Sequence, residues 1–176
     1  MMLNDFEKRG VSYSFGVGTD VSWDEGMAKQ GYDVYMYDHT VTQLSKDCHG
    51  FHFFRQGIAA VPCAGKDTLV HFLEVNGHDE KMGMILKMDV EGAEWEIIDT
   101  CDISCLDKFN QIVMEIHGML NFSRVDIVTR CLKKLSQTHY VIHVHANNAT
   151  VSLWLNGKVC LSDCMEVTWA NKKICG

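Results

Sequence analysis

The chain has 176 residues, 47% hydrophobic and 22% charged, the length and composition of one folded globular domain, which excludes wholesale disorder. Its formal net charge of −7, with no basic run beyond the pairs Lys133-Lys134 and Lys172-Lys173, argues against a nucleic-acid partner. No apolar run approaches the roughly 20 residues that cross a bilayer, and one proline, Pro62, with no Ser/Gly-rich stretch leaves no linker, so residues 1–176 read as a single domain.

Strand-length apolar runs alternate with helical spacing along the chain. Val11 to Phe15 is the first strand and breaks at Gly16-Val17-Gly18; Ser22 to Gln30 is helical, and Val34 to Tyr37 is a second strand ending on Asp38. Phe51 to Phe54 and Met84 to Met88 follow as strands, with a helix at Thr68 to Val75 between them and another at Glu94 to Ile98. Ile112 to Ile116 is the fifth strand, and in the helix from Arg124 to Leu135 the residues Val125, Val128, Leu132 and Leu135 share one face. Tyr140 to Val144 and Met165 to Trp169 close the list of main strands without a helix between them. There "LNGK" at Leu155 to Lys158 carries the Asn-Gly signal of a tight hairpin, with a short strand at Val151 to Leu155. Strand, helix, strand repeated in this way means an α/β fold: a mostly parallel sheet of seven strands, helices on both faces, and an antiparallel hairpin at the C-terminus.

In an open parallel sheet, ligands sit beyond the carboxyl ends of the strands, where the strand order reverses. Gly16-Val17-Gly18 follows the first strand, and glycine lets backbone approach a ligand closely. Asp38, ending the second strand, is placed to accept hydrogen bonds from a ribose diol, which points to a nucleoside-containing cofactor. A dinucleotide fingerprint wants a third glycine where this chain has Val21, and Asp20 would stand beside the pyrophosphate. S-adenosyl-L-methionine, which has no phosphate, tolerates both; a nicotinamide oxidoreductase is therefore the weaker reading.

"YSFGVG", then "VYMYD", then "LKMDVEGAE", then "VMEIHG", in this order and spacing, resemble the FkbM-type (methyltransferase 21) branch of the class I S-adenosylmethionine-dependent methyltransferases, close to the methyltransferase-like 24 subgroup. The resemblance runs from Val11 to Ile174, and Lys87 to Glu94 is its most specific part. It implies a Rossmann-like fold with S-adenosyl-L-methionine as cofactor, the loop Gly16, Val17, Gly18 and Thr19 under its methionine part, and Asp38 on the ribose with His39 beside it. Gly57 and Ile58 would line the adenine, and Asp89 would sit near the amine or the reacting methyl. The chain departs from the family at Ser14, where many class I enzymes carry an acid, and at His39, where the subgroup often has Pro. It also begins almost at the first strand, so the acceptor pocket is expected to be open or completed by another subunit, which keeps a homo-oligomer in view.

Methyl transfer to a hydroxyl asks for positioning and for a base. Candidates end the fourth, fifth and sixth strands: Asp89 and Glu91, Glu115 and His117, and the run from His143 to Asn148 that contains His145. His117 is the first choice as base and His145 the second, with Asp89 and Glu91 as supporting acids. His143 and His145 alternate on one strand face and are more often packing or surface residues than metal ligands, so no metal is assigned. Glu91 read blandly caps the next helix, and Trp23, Trp95 and Trp154, like Tyr13, Tyr35 and Tyr37, read as packing. The expected activity is O-methylation of a small-molecule or glycan hydroxyl; the alternative is a domain that binds cofactor or partner without turnover. The N-terminal "MMLNDFEKRG" has no apolar core of a signal peptide, and eight cysteines without a C-x-x-C pair fix no redox state, so cytoplasmic and lumenal or secreted locations both stay open.

Overall fold

A computed structural model describes residue 2 and residues 10–147 and 150–175; Asn148 of the sixth-strand run lies outside them. Strand β1 (Val11–Phe15) is buried at every position, as an uninterrupted apolar and small-residue run in a sheet covered on both faces requires. It leads into α1 (Ser22–Lys29), β2 (Asp33–Tyr37) and β3 (Phe51–Phe54). Two-residue strands β4 (Gly57–Ile58) and β5 (Lys66–Asp67) pair in a small parallel ladder of their own. Helix α2 (Leu69–Val75) starts at Thr68, whose hydroxyl accepts from the His71 amide at 3.2 Å, the usual way a first-turn donor is satisfied. Then come β6 (Met84–Met88), α3 (Glu94–Thr100), the single turn α4 (Ile103–Leu106), β7 (Phe109–Ile116), α5 (Val125–Thr138) and β8 (His139–Ala146). The ribbon β9 (Ser152–Leu155) and β10 (Val159–Ser162) precedes β11 (Met165–Asn171).

Seven strands form one sheet in the order β3-β2-β1-β6-β7-β11-β8, parallel except for β11, which runs antiparallel to both neighbours. The expected mostly parallel sheet with an antiparallel C-terminal element is therefore present. Sequence order did not reveal that β11 inserts between β7 and β8, leaving β8 at the edge. The β9–β10 hairpin turns at Asn156 (φ 51°) and Gly157 (φ 63°), the left-handed pair that Asn-Gly supplies, but it forms a sheet separate from the main one.

One face of the sheet packs Tyr13, Phe15, Leu86 and Met114 against Phe72 of α2, Trp95 and Ile98 of α3, and Leu135 of α5. The other packs Val34, Met36 and Ile85 against Met27 of α1. Each large apolar side chain fully removed from water contributes about 1.5 to 3 kcal/mol, so the platform beneath the loops is rigid. Of the expected α5 stripe, Leu135 is buried and Val128 packs against the core, while Val125 is 52% and Leu132 39% exposed; Ile127 and the buried Cys131 take their place, so the covered face is rotated toward them. Tyr13, Tyr35 and Tyr37 do pack, with ring centroids 5.4 Å (Tyr13–Tyr35) and 6.3 Å (Tyr13–Tyr37) apart, and Trp95 is buried. Trp154, on the outlying hairpin, is instead 64% exposed. No helix among the described residues is long and apolar enough to cross a membrane.

From β1 the chain winds through β2 to β3 on one side and resumes at β6 and β7 on the other. The carboxyl ends of β1, β2 and β6 consequently open on one crevice.

Candidate functional site

The two glycines after β1 do different jobs. Gly16 (φ 75°) sits where a Cβ would lie 1.6 Å from the Asp89 carbonyl oxygen. Its N–H donates to Tyr37 O at 3.1 Å, and the Asp89 N–H donates to Phe15 O at 2.9 Å, so this position joins the ends of β1, β2 and β6. Glycine is expected here for close approach of backbone to a ligand; at Gly16 a side chain would instead collide with protein backbone. At Gly18 (φ 63°) a Cβ has nothing within 4 Å, so the space beside it is open. Lys87 Nζ donates to Gly16 O at 3.1 Å and steadies the loop from below.

Asp38 is 5% exposed, and the loop already uses its carboxylate. Oδ2 accepts from the Gly18 N–H at 2.9 Å, while Oδ1 accepts from the Thr40 N–H at 2.7 Å and the Thr40 hydroxyl at 2.6 Å. Burial by itself would raise its pKa, but the hydrogen bonds from Thr40, Gly18 and Val41 outweigh it and hold the carboxyl below its usual range. The acid thus folds the glycine loop as well as facing the crevice.

The crevice is a cavity of about 510 Å³, within the range of ordinary small-molecule sites. Gly16, Val17, Gly18, Asp38, His39, Gly57, Ile58, Asp89 and Glu91 all line it, joined by Thr40, Lys66 and Val90. Thr19 is exposed and outside the lining. A Cβ on Gly57 would come 2.8 Å from His39 Nδ1 and 3.0 Å from Lys66 Cγ, so this wall is close-packed and bare of side chain. Among the lining residues, carboxylates outnumber cations: Asp38, Asp89 and Glu91 against Lys66.

Beyond β6, Glu91 (φ 57°) and Gly92 (φ 104°) turn the chain through the left-handed region. A non-glycine residue there is strained by on the order of 1 kcal/mol. The turn is held by Glu94 at the start of α3, whose Oε1 accepts from the Val90 N–H at 3.0 Å and the Gly92 N–H at 3.2 Å. His117, just past β7, places Nδ1 3.1 Å from the same Glu94 oxygen and Nε2 3.7 Å from Glu91 Oε2. Its backbone is fixed by the Trp95 indole, which donates to His117 O at 3.0 Å. Burial favours the neutral ring, but Glu94, Glu91 and Asp89 together win and raise the His117 pKa above its usual value. Burial, with Glu115 and Glu91 adding repulsion, pushes Asp89 up to about 6. Glu115 is buried enough to be raised, yet hydrogen bonds from Cys164 at 2.8 Å and Asn147 at 2.9 Å bring it below its usual range.

His145 is not brought to this group. It lies exposed near the end of edge strand β8, in register with Glu166, which pairs with Glu115. The intervening β11 sets it two strand spacings, about 10 Å, from Glu115, and its ring stacks beside His143 with centroids 6.4 Å apart.

A profile of the methyltransferase FkbM domain matches residues 49–154, more than half of the chain. The chain belongs to this family. The matched span carries Gly57, Ile58, Asp89, Glu91 and His117, whereas the glycine loop and Asp38 precede it. A comparison with curated proteins returned no match. Among solved structures, a candidate hemolysin from Streptococcus thermophilus superposes with a TM-score of 0.52 at 13% identity, over 93% of this chain and 60% of that one. A TehB-like SAM-dependent methyltransferase from Corynebacterium glutamicum gives a TM-score of 0.51 at 9% identity, over 94% of this chain and 82% of that one. This FkbM domain therefore spans less than two thirds of the first of these proteins, and at such identities the likeness is one of fold.

Three residues that the sequence reading left out shape the FkbM crevice. Thr40 sits on a loop and Lys66 in the two-residue strand β5, neither of which carries a periodic signal. Glu94 opens the helix expected from Glu94 to Ile98, and an acid four residues after Val90 and two after Gly92 is the spacing of a carboxylate that reaches back to cap a turn.

Proposed function

We propose that the crevice binds S-adenosyl-L-methionine and that the domain transfers its methyl group to a hydroxyl of a small-molecule or glycan acceptor. The observation that carries this reading is the charge of the crevice at the sheet's reversal point, where Asp38, Asp89 and Glu91 face Lys66. That lining complements a sulfonium cation, an ammonium and a ribose diol, and it opposes a pyrophosphate. When bound, the sulfonium supplies a methyl group already activated for displacement. Gly18 leaves the open space against which the methionine part lies. Asp38 takes the ribose hydroxyls once the Thr40 hydroxyl, a donor free to rotate, swings off Oδ1. The wall at Gly57 and Ile58, backed by His39, accepts the adenine, and Asp89 faces the amine.

His117 serves as base through Nε2, with Nδ1–H donating to Glu94 so that the ring is held and its neutral tautomer set. Because its pKa is raised, the ring becomes competent only as pH climbs past its usual 6.5. Nearness to the methyltransferase-like 24 subgroup belongs to the same proposal and rests on the "KMDVEGAE" run of Lys87 to Glu94. The test is transfer of labelled methyl from S-adenosyl-L-methionine to a panel of hydroxyl-bearing metabolites and oligosaccharides. Label on a hydroxyl of some acceptor supports the reading. Cofactor binding with no transfer to any acceptor class would favour a binding domain without turnover.

A further inference from the structure

We propose that His117, Asp89 and Glu91, with Glu94 behind them, form a divalent-cation site at the mouth of the crevice. Donor atoms of Asp89, Glu94 and His117 all lie within 4.8 Å of one another. An ion with bonds of about 2.1 Å places its ligands about 3.0 Å apart when adjacent and about 4.2 Å apart when opposite, so the group needs only small adjustments to close on one. Glu91 Oε2 stands 3.7 Å from His117 Nε2, inside the same range.

Glu94 supplies the second, independent sign. Its side chain is fully buried, Oε1 takes both turn amides and the His117 ring, and Oε2 has no hydrogen-bond partner. A buried bare carboxylate oxygen is costly unless something positive meets it. In the group as folded, Nδ1–H of His117 donates to Glu94, which leaves the lone pair of Nε2 facing Glu91; a carboxylate orienting the far nitrogen of a ligating histidine is a common arrangement around metals. The thiol of Cys164 also falls within reach of His117 and Glu115. Its hydrogen bond to Glu115 at 2.8 Å ties that thiol to a separate grouping that lacks Asp89 and Glu94. One imidazole with two or three carboxylates suits Mn²⁺, Mg²⁺ or Zn²⁺.

The cation deepens the proposed activity, on which only this consequence rests. An acceptor hydroxyl oxygen coordinated to it gives up its proton to water more readily, while the oxygen–methyl bond forms and the sulfur–methyl bond breaks. With the cation bound, Nε2 of His117 holds it in place of acting as base; without it the same nitrogen keeps the base role given above, and the metal titration separates the two. The site itself stands or falls separately from cofactor binding.

The experiment titrates the metal-free full chain with Mn²⁺, a probe indifferent to thiols, by electron paramagnetic resonance, and follows histidine ring resonances by NMR. The expected result is one ion per chain, broadening of the His117 ring before that of His71, and affinity lower by tenfold or more in His117→Gln and Asp89→Asn. Glu91→Gln, whose parent side chain is 87% exposed and so leaves folding intact, weakens binding as well. No stoichiometric Mn²⁺ binding, or binding that spares the His117 resonances and is equal in Glu91→Gln and wild type, overturns the site.

Discussion

Replacing Asp38 by Asn changes almost no volume and turns one acceptor into a donor. The amide oxygen keeps one set of partners. If it stays on Thr40, whose N–H and hydroxyl are 2.7 and 2.6 Å away, the NH₂ group points at the Gly18 N–H that Oδ2 accepted at 2.9 Å; the flipped amide strands Thr40 instead. Gly18 is half-buried and Thr40 exposed, so the donor left without an acceptor costs about 1 kcal/mol, the low end for buried groups. In a domain of this size 1 kcal/mol moves the midpoint by about 2 to 4 °C, which is the expected fall in Tm. The loosened loop carries Gly18, and S-adenosylhomocysteine affinity should drop by about tenfold or more. The pH dependence has a definite sign. The folded pKa of Asp38 lies below its unfolded one, so its stabilisation is complete above the usual carboxylate range and disappears as pH falls through the folded value. The gap between wild type and Asp38→Asn should therefore narrow in acid. Circular dichroism melts at neutral and acid pH, with hydrogen exchange at the Gly18 amide, measure both effects. A variant as stable as wild type at neutral pH, with Gly18 equally protected, would refute the role given to this carboxylate.

Gly16→Ala should fail to fold or lose most of its stability, because its Cβ would sit 1.6 Å from the Asp89 carbonyl oxygen, whereas Gly18→Val, strained at φ 63° but free of any clash, should still fold with a lowered Tm yet lose cofactor binding; equal behaviour of the two in melts and calorimetry contradicts the division of labour. His117→Ala should lower turnover by about 10² to 10⁴ with cofactor affinity nearly unchanged, and full activity in that variant removes His117 from the chemistry. Glu94→Gln should shift the pH–rate limb of His117 downward, since Glu94 is the largest of the influences that raise its pKa; an unmoved limb shows that the pair is not coupled. Asp24 is fully buried, and neither oxygen accepts a hydrogen bond; burial raises its pKa, against which Ser14 and Lys87 act only in part. A raised folded pKa means stability present at low pH and lost as pH rises through the folded value, so the advantage of Asp24→Asn should grow as pH climbs from the usual carboxylate range through that value and stay constant above it; a lower Tm than wild type at neutral pH sinks the argument.

The strands that the sequence announced correctly are those bounded on both sides by turn residues. Val11–Phe15, Phe51–Phe54 and Met84–Met88 match residue for residue because an apolar run meets glycine or polar chain at each end. β7 was read from Ile112 but starts at Phe109, since Asn110 and the buried Gln111 interrupt the apolar pattern without interrupting the strand. β4 and β5 are too short to carry any period. The position of β11 was invisible for a different reason: hydrophobic pattern reports which residues are covered, not which strand lies beside which. That one insertion separates His145 from His117, although both end strands. At the crevice, Gly18, Asp38 and Asp89 were legible because strand ends fix where such residues point. The Glu94–His117 pair joins residues 23 apart in sequence through side chains, and no periodicity encodes that contact.

The central claim is that this FkbM domain holds S-adenosyl-L-methionine in the crevice between Gly18, Asp38 and Gly57. Isothermal titration of the folded protein with S-adenosylmethionine, S-adenosylhomocysteine and NAD, in wild type and Gly18→Val, tests it most directly. The account predicts one site for each of the first two ligands, none for NAD, and loss of the site in Gly18→Val. Absence of heat with both S-adenosyl ligands, binding of NAD in their place, or unchanged binding in Gly18→Val would contradict it.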